Sequence, residues 1–456
     1  MSNTPGLKLG TPSRTDRLRL HPGVFYRPYD SFVALFHTGA RKVFTFNLTS
    51  SDIFDCFKDY CSIEDALAKL KLIYAVDNAH EFETSVCSFI DDAVDKGILQ
   101  LEYKQSADKD NLESRISSSF SGTNQLYSAT IELTYRCNEK CRHCFIVDER
   151  RPELSADQFN VVLDQLAGMG VLNVVFTGGE VFLRKDAFDI LEHAYAKGFA
   201  IDIFTNGALL DGNDYIRLKA IWPRCVHFSI YSHIAEKHDA ITKVTGSFDK
   251  TLKSIKACSL IGIPVNIKTT VFQETVDDVA GLIHLAESLG SSIEVGRGII
   301  PKKNGDLSVT ALQVTDAEDY RKVSAVITDH ISEVNCVDSG RSPEDRICGA
   351  GEHSISINPY GEVYPCNTLQ LNLGTVASTK LMQIWQESTE LKWWRKNNYV
   401  YNRKGCDGCE LISRCIFCPG EAMMRTGDPL QMYQGACMAT HLANDSKAYM
   451  RSEEGR

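Results

Sequence analysis

Hydrophobic positions along the chain follow two rhythms. Between Val24 and Asn47 they form short alternating runs, Val24 to Arg27, Phe32 to His37 and Val43 to Asn47, parted by Asp/Ser and Thr-Gly turn signals. That spacing predicts three strands. From Ser50 the period lengthens, and Ser50 to Asp59, Ser62 to Lys71 and Glu81 to Lys96 read as helices. The last places Phe82, Val86, Phe89, Ile90 and Ala93 on one face. Ser106 to Asn124 then loses apolar periodicity, carries Ser-Ser-Ser and Ser-Gly, and is expected to be a linker.

Beyond it, strands and amphipathic helices alternate. Strands are predicted at Thr130 to Thr134, Asn173 to Thr177, Ala200 to Thr205, Val226 to Ile230, Val265 to Val271 and Ser292 to Val295. The first intervening helix opens with Ser155 as N-cap and Gln158 three residues on, followed by Phe159, Val162, Leu163 and Leu166 along one side. Others fit Lys185 to Lys197, Asn213 to Ile221, Phe248 to Ile261, Val276 to Leu289 and a stretch after Thr315. Repeated strand-helix units imply a parallel sheet with any active site at the C-terminal strand ends. Periodicity leaves both an open doubly wound sheet and an incomplete barrel in play.

Composition narrows the function classes. With 456 residues, 43% hydrophobic and 24% charged, the chain can bury real cores, in about three domains at roughly 150 residues each. No apolar run reaches the ~18 residues of a membrane span, and Met1 to Leu20 is polar and basic without a signal-peptide core, so a soluble, cytoplasmic protein with no membrane partner is expected. A formal charge of -10 without a basic stripe argues against nucleic acid as a partner.

Sixteen cysteines change the picture most. In a reducing compartment clustered cysteines point to metal or redox chemistry rather than disulfides. Cys137, Cys141 and Cys144 form a Cys-x3-Cys-x2-Cys loop just past the strand at Thr130 to Thr134, which suits an iron-sulfur cluster with one iron left open. Three unrelated cysteines, or a zinc site borrowing a distant histidine, remain the plainer readings. The next strand ends in Gly178-Gly179-Glu180, where glycines admit a ligand to the backbone and the carboxylate can hold an ammonium; alone it could be an ordinary strand-to-helix turn.

Together these motifs resemble those of the radical S-adenosylmethionine enzymes over about Thr130 to Val334. The resemblance implies a partial (βα)6 barrel with a 4Fe-4S cluster on Cys137, Cys141 and Cys144, whose open iron chelates S-adenosylmethionine. One-electron reduction would then yield a 5'-deoxyadenosyl radical. It also implies that Gly178, Gly179 and Glu180 hold the methionine ammonium, and that His143 and Phe145 lie near the adenine. Ser229 falls where related enzymes place a cofactor-binding serine, or is a plain strand residue.

The carboxy-terminal cysteines form a second pattern. Cys406-x2-Cys409-x5-Cys415-x2-Cys418 is too tightly spaced for a usual zinc ribbon, and with Cys348, Cys366 and Cys437 it resembles the seven-cysteine SPASM domain. By that resemblance Cys348, Cys366 and Cys418 bind one auxiliary 4Fe-4S cluster, and Cys406, Cys409, Cys415 and Cys437 a second, making three clusters in all. The first auxiliary cluster is one ligand short, so an open iron able to bind a substrate thiolate or another protein ligand is expected; Cys336 is the internal candidate to close it, but reads first as a buried free cysteine. Cys56, Cys61, Cys87, Cys225 and Cys258 read as core.

The expected fold class is therefore α/β: residues 1–105 a winged-helix-like leader-peptide recognition domain, 106–126 a linker, 127–335 the partial barrel, and 336–456 the SPASM domain. The layout resembles radical peptide maturases of the sactipeptide and ranthipeptide type. That likeness implies a crosslink, foremost a cysteine sulfur-to-carbon thioether, installed in a ribosomally made precursor peptide, with an electron donor such as flavodoxin or ferredoxin as a further partner. Carbon-carbon or carbon-oxygen crosslinking, epimerisation and sulfatase-maturase-like protein modification use similar scaffolds. A non-catalytic electron carrier is the alternative of another class.

Overall fold

The computed structural model describes residues 14, 17–21, 23–37, 42–58, 61–74, 76, 78–101, 124–330 and 341–454. Residues 106–123 of the expected linker, and Cys336, lie outside the described residues. The chain divides into two compact units, Met1–Ser119 and Phe120–Arg456.

In the first unit the alternating runs become β2 (Val24–Pro28), β3 (Val33–His37) and β4 (Lys42–Phe46), an antiparallel sheet in the order β2-β3-β4. The helices are α1 (Thr49–Cys56), α2 (Ile63–Ile73) and α3 (Ala79–Asp95). Ser62 caps α2 and Asn78 caps α3, each accepting from a backbone N–H three residues on. A second small sheet, unforeseen in the sequence, pairs β1 (Arg17–Leu20) with β5 (Cys61–Ser62) on one side and β6 (Leu99–Leu101) on the other. One core serves both sheets, built on Leu18, Leu35, Phe54, Phe57, Leu70 and Ile90.

The second unit is built on a nine-stranded sheet. β7 (Ser128–Thr134), β8 (Asn173–Gly178), β9 (Ala200–Thr205), β10 (Cys225–Ser229), β11 (Val265–Thr270) and β12 (Ser292–Gly296) lie side by side in sequential order, all parallel. A doubly wound sheet would reverse its strand order at a switch point, and this one does not, so it is the incomplete barrel. Between the strands run α4 (Ala156–Gly168), α5 (Ala187–Ala196), α6 (Gly212–Ile221), α7 (Ala235–Thr242), α8 (Ser247–Leu260) and α9 (Val279–Ser288), and α10 (Ala317–His330) follows β12. Ser155 and Gln158 form the expected capping box on α4. Ile131, Leu133, Val174, Phe176, Ile201, Ile203, Val226 and Phe228 pack with Phe159, Leu163 and Leu191 of the helices in one core. The intervening positions, among them Glu132, Asp202, His227 and Asn266, form the inner face of the barrel.

The sheet does not stop at the barrel. β13 (Ser354–Ile357) pairs parallel with β7, and β14 (Glu362–Tyr364) and β15 (Gly374–Thr375) continue it antiparallel. The carboxy-terminal segment is thus stitched into the same sheet. It is completed by α11 (Leu381–Glu387), α12 (Thr389–Asn397), α13 (Pro419–Thr426) and α14 (Gln434–Glu454). Among the described residues, no helix is long and apolar enough to cross a membrane.

Candidate active site

At the C-terminal ends of the barrel strands lies a cavity of about 550 Å³. It is lined by Cys137, Cys141, Cys144, His143, Phe145, Gly178, Gly179 and Ser229, gathered from three strand ends. The cysteine loop is held from two sides. Lys140 and Arg142 donate their backbone N–H groups to Thr242 and Ile241 at the end of α7, and Asn206 Nδ2 bonds Asn138 Oδ1 at 2.9 Å.

The two glycines are required by this loop's own backbone. Gly178 sits at φ 134°, and a Cβ there would collide with the Thr134 carbonyl; one on Gly179 would collide with the Arg136 carbonyl. Gly179 and Glu180 donate to those same two carbonyls at 2.7 and 3.0 Å. The sequence assigned the glycines to ligand approach; the closer demand is from the chain itself.

Glu180 does not line the cavity. It is buried beneath it, accepting from Thr205 Oγ1 at 2.6 Å, the Asn206 backbone at 2.8 Å and the Phe182 backbone at 3.0 Å. A carboxylate so engaged organises the floor that carries Asn206, which is a different task from the ammonium contact expected of it.

Desolvation in the loop pushes the Cys137 thiol up to about 12, although the residue as a whole is exposed, and raises those of Cys141 and Cys144 as well, with the Glu139 carboxylate and the neighbouring thiols adding to the effect at Cys137 and Cys141. Such thiols stay protonated at neutral pH until a positive centre takes the sulfur, so the donor set suits a tightly bound cationic group. His143, half-buried between the rings of Tyr231 and Phe272, is lowered to about 4 by desolvation, which keeps it neutral; its Nδ1 has no partner. The Lys303 backbone donates to the Phe145 carbonyl at 2.9 Å, while its ammonium bonds both Glu132 oxygens at 2.7 and 2.8 Å and the Tyr135 hydroxyl at 2.6 Å. That buried cluster ties the segment after β12 to the first strand.

Sequence reasoning missed Glu139, Phe204, Thr205, Asn206, Tyr231 and Lys303. Phe204 to Asn206 and Tyr231 were findable, since they stand at the ends of predicted parallel strands.

The seven carboxy-terminal cysteines fall into two neighbourhoods. Burial pushes Cys348 up to about 12, with the thiols of Cys366 and Cys418 pressing on it. Cys406 is raised by burial with Cys415, Cys437 and Cys409 around it. Cys418 is the N-cap residue of α13, and Cys437 lies in the first turn of α14. Among the described residues no group of three or more His, Cys, Asp or Glu side chains could hold a single metal ion. The cysteines expected to be core divide: Cys56, Cys61 and Cys258 are buried, whereas Cys87 and Cys225 are only partly so.

Residues 131–286 match the family model described as the radical SAM superfamily, and residues 348–410 the model of an iron-sulfur cluster-binding domain, SPASM. The chain is 30% identical to the antilisterial bacteriocin subtilosin biosynthesis protein AlbA of Bacillus subtilis (strain 168), over 65% of this chain and 68% of that protein. It is 25% identical to an AdoMet-dependent heme synthase of Oleidesulfovibrio alaskensis, over 66% and 86% of the respective chains. In fold it matches Streptococcus suis SuiB, solved bound to precursor peptide SuiA, with a TM-score of 0.62 at 16% identity, covering 92% of this chain and 99% of that one. A thiol-lined cavity at the barrel's strand ends and this descent agree: the chain belongs to the radical SAM superfamily, an enzyme whose cofactors are S-adenosylmethionine, a 4Fe-4S cluster and the auxiliary iron-sulfur clusters of its SPASM domain.

Proposed function

We propose that the protein is a peptide maturase that uses radical chemistry to install a crosslink, foremost a cysteine sulfur-to-carbon thioether, in a ribosomally made precursor. One observation beyond the barrel carries the peptide reading. In the first unit, β4 is an edge strand, and beside it a cavity of about 350 Å³ is lined by Ile53, Leu70, Phe82, Val86 and Phe89, with Asn47, Thr49, Ser50, Tyr74 and Ser85 supplying polar groups. An edge strand with unpaired backbone groups can accept an extended peptide, and an adjoining apolar cavity can select one of its side chains. In this reading the unit acts as the winged-helix-like recognition domain of residues 1–105, joined by the linker 106–126 to the barrel 127–335 and the SPASM domain 336–456. The similarity to AlbA, a bacteriocin biosynthesis protein, supports a peptide as the substrate.

In the barrel, Cys137, Cys141 and Cys144 would hold the cluster, and the backbone of Gly178 and Gly179, with His143, Phe145 and Ser229, would shape the S-adenosylmethionine site. When bound and reduced, the cofactor supplies a carbon radical strong enough to take hydrogen from an unactivated carbon. The chain's own residues must then exclude water and alternative hydrogen donors. Tyr135, Phe145, Phe204 and Tyr231 wall the cavity with rings, and Glu180 fixes the floor through Thr205 and Asn206. In the SPASM domain, Cys348, Cys366 and Cys418 would hold one auxiliary cluster, with Cys336 the candidate fourth ligand, and Cys406, Cys409, Cys415 and Cys437 the other.

The test is tandem mass spectrometry of a candidate precursor peptide, such as any short open reading frame found beside the gene, after anaerobic co-expression and alkylation of free thiols. A loss of two hydrogens per link, with the linked cysteines refusing the alkylating agent, is the expected result. The same loss with thiols still free would replace the thioether by a carbon-carbon or carbon-oxygen bond. A precursor left unchanged by an enzyme that cleaves S-adenosylmethionine would overturn the crosslinking reading and turn attention to epimerisation or a tetrapyrrole substrate.

A further inference from the structure

Within the cysteine loop, between Cys137 and Cys141, stands a carboxylate that the proposed chemistry leaves unused. Glu139 lines the cavity and is only 6% exposed. One oxygen, Oε2, accepts from Cys141 Sγ at 3.5 Å; the other, Oε1, is buried with no hydrogen-bond partner. A buried carboxylate left half satisfied is costly, and a cation or a set of donors is what normally removes that cost. The nearby cationic side chains do not serve: Arg136 is turned to Glu153 at 3.2 Å, and Lys140 is exposed.

The other acidic groups are engaged. Glu180 has accepted three hydrogen bonds from the strand ends and does not reach the lining. Asp148, the second acidic residue of the lining, is exposed at the rim and accepts from the Arg150 backbone at 2.9 Å. Among the described residues that line the cavity, Glu139 therefore carries the one buried carboxylate oxygen still without a partner. S-adenosylmethionine, with its ammonium and sulfonium, brings two positive centres into the same space.

We infer that the Glu139 carboxylate is a binding residue for the cationic methionyl end of S-adenosylmethionine, in addition to the backbone of Gly178 and Gly179. The inference rests on this cavity being the cofactor site. A hydrogen bond to a charged group is worth about 1.5 to 3 kcal/mol, so losing the charge weakens binding by about tenfold to a hundredfold.

The experiment uses the anaerobically reconstituted full chain without reductant, so that nothing is cleaved. Equilibrium dialysis of wild type and Glu139→Gln against S-adenosylmethionine, S-adenosylhomocysteine and 5'-methylthioadenosine is combined with iron analysis. The last probe keeps the adenosine and thioether but has neither ammonium nor sulfonium. The expected result is unchanged iron, a tenfold or greater loss for S-adenosylmethionine, and an unchanged affinity for methylthioadenosine. A parallel loss for S-adenosylhomocysteine assigns the contact to the ammonium, and its sparing assigns it to the sulfonium; both support the inference. Equal losses for all three probes, no loss for any, or iron loss from the variant each overturn it, the last by showing that the carboxylate steadies the loop instead. Failure of wild type to bind S-adenosylmethionine at all would strike the cofactor site itself, a separate outcome.

Discussion

Two cavities of the molecule are built by opposite rules. The one at the barrel's strand ends is walled by three thiols, a buried carboxylate and backbone so close that glycine is obligatory at two successive positions. The one in the first unit is walled mainly by aliphatic and aromatic side chains, with hydroxyls and an amide among them and neither a thiol nor a carboxylate in its lining. Groups that would be costly to bury unpaired are concentrated where chemistry must happen, whereas the second cavity holds only what is cheap to bury. Under the proposed function, a site for reaction and a site for grip are thereby kept apart in sequence and in composition.

Three substitutions test that contrast, in order of effect. Cys141→Ala should abolish S-adenosylmethionine cleavage and lower bound iron, while leaving precursor affinity at wild-type strength; iron analysis, deoxyadenosine assay and fluorescence anisotropy of a labelled precursor read the three. A matching loss of precursor affinity would break the division of labour. Lys303→Met strands the buried Glu132 carboxylate and should cost about 3 to 5 kcal/mol of stability in the barrel unit, seen as a lowered thermal transition. An unchanged transition would mean that this ion pair does not fasten the segment after β12. Ser85→Trp, at an exposed position on the lining of the apolar cavity, should plug it and weaken precursor binding by about tenfold, a change of ~1.4 kcal/mol, with S-adenosylmethionine binding and thermal stability unaltered. Full precursor affinity in that variant would move the recognition surface elsewhere.

The barrel was largely legible because its signals are local. Its strands are short runs in which apolar residues recur at alternate positions or in unbroken stretches, the Ser155 cap announces α4 within four residues, and the cysteine triplet begins three residues after β7. What escaped depends on distant partners. β5 has two residues and exists only because β1, more than forty residues earlier, offers it backbone groups. α7 carries Ala-Glu-Lys-His-Asp-Ala-Ile-Thr, with only His238, Ile241 and Thr242 buried, too weak a stripe to stand out. The site shows the same division. Cys137, Gly178 and their neighbours are fixed by spacing, but Lys303 finds Glu132 across 171 residues, and Glu180 turns inward because Thr205 and Asn206 wait beneath it. For Gly178 and Gly179 the packing adds a second reason, the close Thr134 and Arg136 carbonyls.

The parallel pairing of β13 with β7 sets a timetable for synthesis. Ser128 meets Ser354, so the strand that leads into the cysteine loop lies beside a partner translated roughly 220 residues later. At about 5 to 20 residues per second, the ribosome needs on the order of 10 to 45 s to deliver it. Throughout that interval the nascent barrel has an open edge at the strand that leads into its cysteine loop. Chaperone cover and prompt cluster delivery should therefore matter most before the chain is finished, and a truncation after α10 would freeze the molecule in its most aggregation-prone form.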